Sequence, residues 1–153
     1  MALYLVQHGK ALPKDQDTEQ GLAPEGMVEV QRIAEVARNY GVSVRRIEHS
    51  GKKRAWQTAE IFAAALVPQE GVQVRKGIDP LDDVTLIATE LESTDNLMLV
   101  GHLPFMERLS TYLITGSLER LVFKYQNGGI VCLDKDQEGR FWFIKWALMP
   151  HIG

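Results

Sequence analysis

Two histidines and an arginine stand just after segments whose composition predicts buried strands. His8 follows the apolar run at residues 2–7, and His102 follows a second apolar run at residues 96–101. Arg54 stands in a basic stretch that follows a third strand-like segment. Neutral imidazole can attack phosphorus and hold the group covalently, and a guanidinium can bind two phosphate oxygens at once. These residue types therefore predict a site for a phosphoryl group.

A parallel sheet would bring these side chains together, because ligands of open α/β sheets bind beyond the carboxyl ends of the strands. Gly9 and Gly101 stand beside the two histidines and would let the backbone approach a ligand closely. Two of the three segments lead into predicted helices, whose N-terminal N–H groups favour an anion. Each feature also has an ordinary structural interpretation. A histidine at a strand end is more often structural than catalytic, and Lys52, Lys53 and Arg54 alone resemble a solvated helix start.

The first two thirds of the chain alternate strand-like and helix-like segments. This order predicts an α/β fold with three layers, in which a mostly parallel sheet carries helices on both faces. Pro24 is at the preferred first position of a helix that Gly41 ends. Ser50 is predicted to cap a second helix, which runs to about Leu66.

Further along the chain, Asp82 is predicted to cap a helix that runs to about Leu91, and Pro104 to open another helix. The end of the chain changes character, and we expect strands at residues 120–125, 129–134 and 141–147. The final hairpin should add antiparallel character to the sheet.

The length and composition predict one soluble domain covering residues 1–153. The chain is 45% hydrophobic and 24% charged, which is ordinary for a globular protein. Its formal net charge of −3 argues against bulk nucleic-acid binding. No apolar stretch approaches the ~18 residues needed to span a bilayer, and the N-terminus lacks the basic leader of a signal peptide. The single cysteine, Cys132, fits a reducing compartment. We therefore expect a cytoplasmic protein that binds neither nucleic acid nor membrane.

Five stretches, in unbroken order over nearly the whole chain, resemble the histidine phosphatase superfamily, and in particular its small SixA-type phosphohistidine phosphatases. The family has Arg-His-Gly after its first strand, Leu-Thr-Pro-x-Gly at a helix start, Ser-Pro-x-x-Arg-Ala-x-Gln-Thr-Ala, Gly-His-x-Pro, and a closing Trp-x-x-x-Pro. The corresponding stretches here are Gln7-His8-Gly9, Leu22-Ala23-Pro24-Glu25-Gly26, residues 50–59, Gly101-His102-Leu103-Pro104 and residues 146–150. Residues 50–59 are the most specific of these matches.

The resemblance implies a phosphoglycerate mutase-like fold and a phosphatase that works through a phosphohistidine on His8. It further implies that Arg54 and His102 bind the phosphoryl group, in a pocket that includes Gln7 and Gly9. No metal and no organic cofactor are expected for this family.

The main departure from the family pattern is Gln7, which stands where the family has arginine. Glutamine keeps an amide donor but loses the charge and the bidentate geometry. Because loss of one strong donor to a transition state can cost ~10²–10³ in rate, we expect weakened catalysis rather than none if a lysine compensates. The candidates are Lys10, Lys52 and Lys53, although each is more simply explained as a surface charge.

No carboxylate is a firm match for a general acid. Asp79, Asp82 and Asp83 follow a weaker strand candidate at residues 72–76, and Asp82 is a possible accessory residue, as is Ser50. A missing acid favours a leaving group that departs without strong protonation, and imidazole leaves phosphorus more readily than an alkoxide does. The predicted substrate is therefore a phosphohistidine on a protein, such as a phosphotransfer domain or a phosphocarrier.

Two other functions remain open from the sequence. The chain could hydrolyse a small phosphate ester, or it could be a degenerate member that binds phosphorylated ligands without turnover, as the loss of arginine at position 7 would allow.

The three tryptophans, Trp56, Trp142 and Trp146, are predicted to pack in the core or at its edge, and Cys132 to be inert core.

Overall fold

The computed structural model describes residues 1–152, which form a six-stranded sheet flanked by four helices. None of the helices within these residues is both long enough and apolar enough to cross a membrane. In chain order the elements are β1 (Leu3–Gln7), α1 (Pro24–Asn39), β2 (Arg46–His49), α2 (Lys53–Leu66), β3 (Val72–Val74), α3 (Val84–Ala88), β4 (Leu97–Gly101), α4 (Phe105–Thr115), β5 (Ile130–Lys135) and β6 (Trp142–Leu148). A single 3-10 turn at Ser93–Asp95 precedes β4.

The sheet has the strand order β3-β2-β4-β1-β5-β6. The first four strands in this order are parallel, whereas β5 runs antiparallel to β1, and β6 antiparallel to β5. The expected architecture, a mostly parallel sheet with an antiparallel hairpin at its end, is confirmed.

The helices cover both faces of the sheet because side chains alternate along each buried strand. In β1, Tyr4 and Val6 pack against the face covered by α1 and α2, while Leu3 and Leu5 pack against the face covered by α3 and α4. All four residues are buried. This alternation produces two hydrophobic cores, one on each side of the sheet, and confirms the three-layer arrangement.

The first helix starts at Pro24 and ends two residues before Gly41, as expected, and Gly41 has a φ of +77°. Met27 is an exception within this helix, because it is 36% exposed although its spacing predicts an inward position. The buried residues of α1 are Gly26, Val30, Ile33, Ala34 and Ala37.

The predicted strand at residues 120–125 does not exist. Alternating apolar residues suggested it, but Leu121 and Val122 are exposed. Both edges of β1 are already paired, with β4 and β5, so that no partner strand is free there. Tyr125 instead is buried, and its hydroxyl lies 2.5 Å from Ser110 Oγ of α4. The segment therefore packs as a loop over α4.

Candidate active site

His8 and His102 lie side by side at the carboxyl edge of the sheet. Each follows the last residue of a strand, and the two strands, β1 and β4, are parallel neighbours. The backbone N–H of His8 donates to the carbonyl of Gly101 at 3.0 Å and extends the ladder by one residue. As a result, the two ring centroids are 5.0 Å apart, with an angle of 54° between the ring planes.

The tautomer of His8 follows from a single hydrogen bond. Its Nδ1 lies 2.7 Å from the carbonyl oxygen of Gly9, and a carbonyl can only accept, so Nδ1 carries the proton. Nε2 then keeps its lone pair. The pKa of His8 is lowered to about 4, chiefly by burial, against a raising contribution from the Gly9 carbonyl and with a smaller lowering contribution from the charge of Arg54. At neutral pH His8 is thus an uncharged imidazole with a free nucleophilic nitrogen.

The backbone around His8 is held from two directions. Its carbonyl accepts hydrogen bonds from the side-chain amide of Asn127 at 3.0 Å and from the N–H of Gly128 at 3.2 Å. The N–H of Gly9 donates to the hydroxyl of Thr58 in α2 at 2.9 Å. Sequence reasoning assigned no role to Thr58 or Asn127. Thr58 could have been suspected from its place in the stretch of residues 50–59, whereas nothing in the sequence singled out Asn127 beyond a turn signal.

Glycine is required at position 9 because the loop after β1 passes close to α1. A Cβ at Gly9 would lie 2.6 Å from Cγ2 of Val30, well inside van der Waals contact. At Gly26, in the first turn of α1, a Cβ would collide with the backbone carbonyl oxygen of Lys10. The two glycines therefore let the helix and the loop that carries His8 pack directly against each other.

Ser50 makes a hydrogen bond to His102 and does not cap a helix as predicted. Its hydroxyl lies 2.6 Å from Nε2 of His102, and it accepts a weak bond from the N–H of Lys52 at 3.3 Å. Lys52 is the N-cap residue of α2, without a side-chain capping bond. The helix starts later than expected because Gly51, with a φ of +91°, extends the turn after β2.

His102 is buried, and its Nδ1 has no hydrogen-bond partner within residues 1–152. Its pKa is lowered to about 3, chiefly by burial, with smaller lowering contributions from the neighbouring His8 ring and from the charges of Arg54 and Lys52. The ring is therefore neutral at physiological pH. An unpaired ring nitrogen in a buried position is unusual in a folded protein, and it marks this histidine as a candidate ligand for an incoming polar group.

Arg54 is the second residue of α2 and is only partly exposed. It forms no ion pair with any carboxylate in the described part of the chain, and burial lowers its pKa. Its charge acts on both His8 and His102, since it contributes to the lowered pKa of each. The structure therefore places the two imidazoles side by side, and the charge of the unpaired Arg54 guanidinium acts on both.

Gln7 lies at the end of β1, and only 8% of it is exposed. Its side-chain oxygen is buried and has no hydrogen-bond partner within residues 1–152. Together with His102 Nδ1, it is one of two such orphaned atoms in the described chain, and both lie at the carboxyl edge of the sheet. The two buried polar atoms without a hydrogen-bond partner in residues 1–152 therefore both lie at this site.

The three candidate lysines differ in their partners. Lys10 pairs with Glu25 at 2.7 Å, and Lys53 pairs with Asp17 at 2.9 Å. Lys52 forms no ion pair within residues 1–152, and its charge lowers the pKa of His102. Lys52 is therefore the candidate whose charge is free to act at the site.

None of the three aspartates forms a hydrogen bond to His8 or His102 in residues 1–152. Asp82 does not cap the helix as predicted, because α3 begins at Val84 and its N-cap is Asp83, whose carboxylate accepts from the N–H of Thr85 at 2.9 Å. Asp82 instead accepts from the N–H of Asp79 at 2.8 Å and lines a separate cleft beside α3. Hydrogen bonds to backbone N–H groups occupy both carboxylates in local turns.

No group of three or more His, Cys, Asp or Glu side chains in residues 1–152 is arranged to hold a metal ion. Cys132 is buried, as expected. Trp56 contradicts the expectation of core packing, because it is 47% exposed on α2, one turn from the site.

No protein-family model matches this chain, and no curated protein sequence does either. Several solved structures, in contrast, are similar to this chain. The protein histidine phosphatase SixA, solved with tungstate, is 24% identical to it, with a TM-score of 0.84, and the alignment covers 98% of this chain and 97% of the SixA chain. A SixA-type protein from Agrobacterium tumefaciens is 26% identical, with a TM-score of 0.76 over 96% and 97%. An alpha-ribazole phosphatase from Shigella flexneri is 16% identical, with a TM-score of 0.78 over 100% and 98%.

These similarities cover nearly the full length of both partners in each pair, and the neighbours are phosphatases of one fold. The resemblance that the five motifs indicated is therefore confirmed in three dimensions: this chain has the phosphoglycerate mutase-like fold of the histidine phosphatases and is similar throughout to the SixA phosphohistidine phosphatases.

Proposed function

We propose that this chain is a phosphatase in which Nε2 of His8 attacks phosphorus and carries the phosphoryl group as a covalent intermediate. One observation carries the proposal: the His8 tautomer, fixed by the Gly9 carbonyl, leaves Nε2 unprotonated beside the buried His102 ring and within the field of Arg54. The close fold similarity to a SixA solved with tungstate, a tetrahedral oxyanion like phosphate, supports an oxyanion site.

The reaction has two balanced steps. In the first, a bond forms between His8 Nε2 and phosphorus while the bond from phosphorus to the substrate nitrogen breaks, and the leaving imidazole nitrogen takes a proton from water. In the second, water attacks phosphorus and gives up a proton to solvent, the bond to His8 breaks with its electron pair returning to Nε2, and inorganic phosphate leaves. Arg54 and His102 stabilise the oxygens of the transferred group during both steps, because in-line transfer depends mainly on positioning and charge stabilisation.

The proposed substrate is a phosphohistidine on another protein, and the proposed location is the cytoplasm, where the lone buried thiol of Cys132 would stay reduced. In residues 1–152, none of Asp79, Asp82 and Asp83 forms a hydrogen bond to His8 or His102. A site without a neighbouring general acid suits a nitrogen leaving group better than an alkoxide.

The test compares three phosphoryl donors with purified protein: phosphoramidate, a phosphotransfer domain phosphorylated on its histidine, and an aryl phosphate. We expect turnover of the two phosphorus–nitrogen substrates, lost in His8→Ala, and slower turnover of the ester. A faster rate with the ester would favour a small-molecule phosphatase. Phosphate binding without turnover of any substrate would favour a degenerate binding protein and would contradict the proposal.

A further inference from the structure

Beside the proposed catalytic residues lies an open cleft of about 520 Å³ that the mechanism does not use. One wall is the first two turns of α2, and the other is the loop between β1 and α1. Arg54 lines this cleft, and its charge also acts on His8. A protein that carries a phosphoryl group to His8 can therefore contact this cleft.

Side-chain hydrogen bonds connect the two walls of the cleft. Lys53 donates to the carboxylate of Asp17 at 2.9 Å, and the side chain of Gln57 accepts from the N–H of Leu22 at 2.6 Å. Gly21 permits this contact, because a Cβ there would lie 2.8–2.9 Å from the side chains that form it. A surface already ordered before binding loses little conformational entropy on association.

The side chains that line the cleft include four cations, Lys14, Lys52, Lys53 and Arg54, against one carboxylate, Glu19. Trp56 lines it too and is 47% exposed, and tryptophan is enriched at protein interfaces relative to the rest of the surface. Lys14 and Lys52 line the same cleft and form no ion pairs in residues 1–152. Their charges are therefore not neutralised by a neighbouring carboxylate. Exposed tryptophan beside unpaired cations is the composition of a binding hot spot for an acidic surface.

We propose that this cleft, centred on Trp56 and Lys14, docks an acidic protein surface that presents its phosphohistidine to His8. This inference rests on the proposed function and adds the recognition surface and the charge of the partner. Trp56 contributes apolar contact area, while Lys14 accelerates encounter by long-range attraction. A protein partner fits better than a small molecule, because the cleft is a broad groove between a helix and a loop and not an enclosed pocket.

The test measures kcat/KM for two substrates of the same bond type. One is phosphoramidate, which is too small to reach Trp56 while it reacts, and the other is an acidic phosphotransfer domain phosphorylated on its histidine. We expect Trp56→Ala and Lys14→Glu each to lower kcat/KM for the domain by about tenfold or more, mainly through KM, and to leave phosphoramidate turnover unchanged. For the wild type, added salt should lower kcat/KM for the domain and not for phosphoramidate.

Matched controls are Tyr40→Ala and Arg38→Glu, which alter an exposed aromatic and an exposed cation at the far end of α1. Neither variant should change kcat/KM for either substrate. Equal loss for both substrates in Trp56→Ala would place Trp56 in the catalytic site and overturn the docking proposal, as would no loss for the domain. Salt-sensitive binding of a single-stranded oligonucleotide that Trp56→Ala abolishes, with domain turnover unchanged, would also overturn it. Absence of phosphoramidate turnover in the wild type would instead refute the proposed phosphatase function.

Discussion

The hydroxyl of Ser50 lies 2.6 Å from Nε2 of His102, and this contact joins the ends of β2 and β4 at the proposed catalytic edge. The bond occupies one ring nitrogen of His102 and leaves the other, Nδ1, as its only unpaired polar atom. When the hydroxyl donates to Nε2, the proton of the neutral ring is on Nδ1, where it can be donated to a phosphoryl oxygen.

Ser50→Ala should therefore lower kcat by about tenfold, because the ring loses the bond that fixes its tautomer and orientation. Ser50→Thr keeps the hydroxyl and should restore most of the rate. The measurement is steady-state turnover of phosphoramidate, with the pH profile recorded for each variant. Ser117→Ala, in the loop after α4, serves as the matched control. Equal rates in Ser50→Ala and the wild type would show that the bond has no part in catalysis.

Gln7→Arg should raise phosphate affinity, and it should raise kcat/KM by about 10²-fold. The reason is that arginine adds a charged bidentate donor beside the nucleophile. Phosphate affinity is measured by calorimetric titration and the rate with phosphoramidate. Gln7→Met, which has similar size and no donor, should lower the rate. If Gln7→Arg left both quantities unchanged, the interpretation of Gln7 as the weak point of the pocket would be wrong.

Lys52→Met tests whether this lysine compensates for the missing arginine. We expect a clear loss of kcat/KM in the wild-type background and a smaller loss in the Gln7→Arg background, since a new guanidinium would make the lysine charge redundant. Lys10→Met should have no effect in either background, because Lys10 is paired with Glu25 at the surface. Equal losses in both backgrounds would argue against compensation.

Both histidines should stay uncharged well below the usual pH of imidazole protonation. The pKa of His8 is lowered from 6.5 to about 4 and that of His102 to about 3. In NMR titrations their ring signals should not move between about pH 8 and pH 5.5. Titration of either ring near 6.5 would contradict the structure.

The same shifts predict how stability depends on pH. As pH falls through about 6.5, histidines of the unfolded chain take up protons while the folded forms of His8 and His102 do not, so the unfolded state binds more protons. The free energy of unfolding should therefore fall as pH drops from about 7 towards 4. Urea unfolding at several pH values measures this slope, which should be shallower in His102→Asn. A wild-type slope that His102→Asn leaves unchanged would assign the effect to other groups.

Gly26→Ala should destabilise the fold although alanine is the better helix former. Intrinsic propensity alone predicts a gain of about 1 kcal/mol, but a Cβ at this position would collide with the Lys10 carbonyl. We expect a net loss of about 1–3 kcal/mol in the free energy of unfolding, measured by urea denaturation. Glu35→Ala, on the exposed face of the same helix, is the control. A stabilised Gly26→Ala protein would show that the loop can move away.

The order and type of most elements could be predicted because the relevant signals are local. Apolar runs mark β1 and β4, and Pro24 and Gly41 bracket α1. The segment at residues 120–125 misled the prediction because its alternating apolar residues suit a strand, and only the packing of Tyr125 against Ser110 of α4 shows that it is a loop.

The placement of the site could be predicted only in part. Histidines and a basic stretch after parallel strands indicate one edge of the sheet, and the structure places His8 and His102 there. The partners of Ser50 and the exposure of Trp56 depend on where α2 begins, and Gly51 delays that start. Asn127 reaches the His8 carbonyl from the other end of the sequence, a contact that no local pattern encodes.

The central claim is that the phosphoryl group resides on Nε2 of His8 during turnover. The most direct measurement is acid-free rapid quenching during phosphoramidate turnover, followed by mass spectrometry of the peptides under alkaline conditions. We predict an alkali-stable phosphoryl group on His8, absent from His8→Ala. A phosphoryl group on any other residue, or turnover that persists in His8→Ala, would contradict the account.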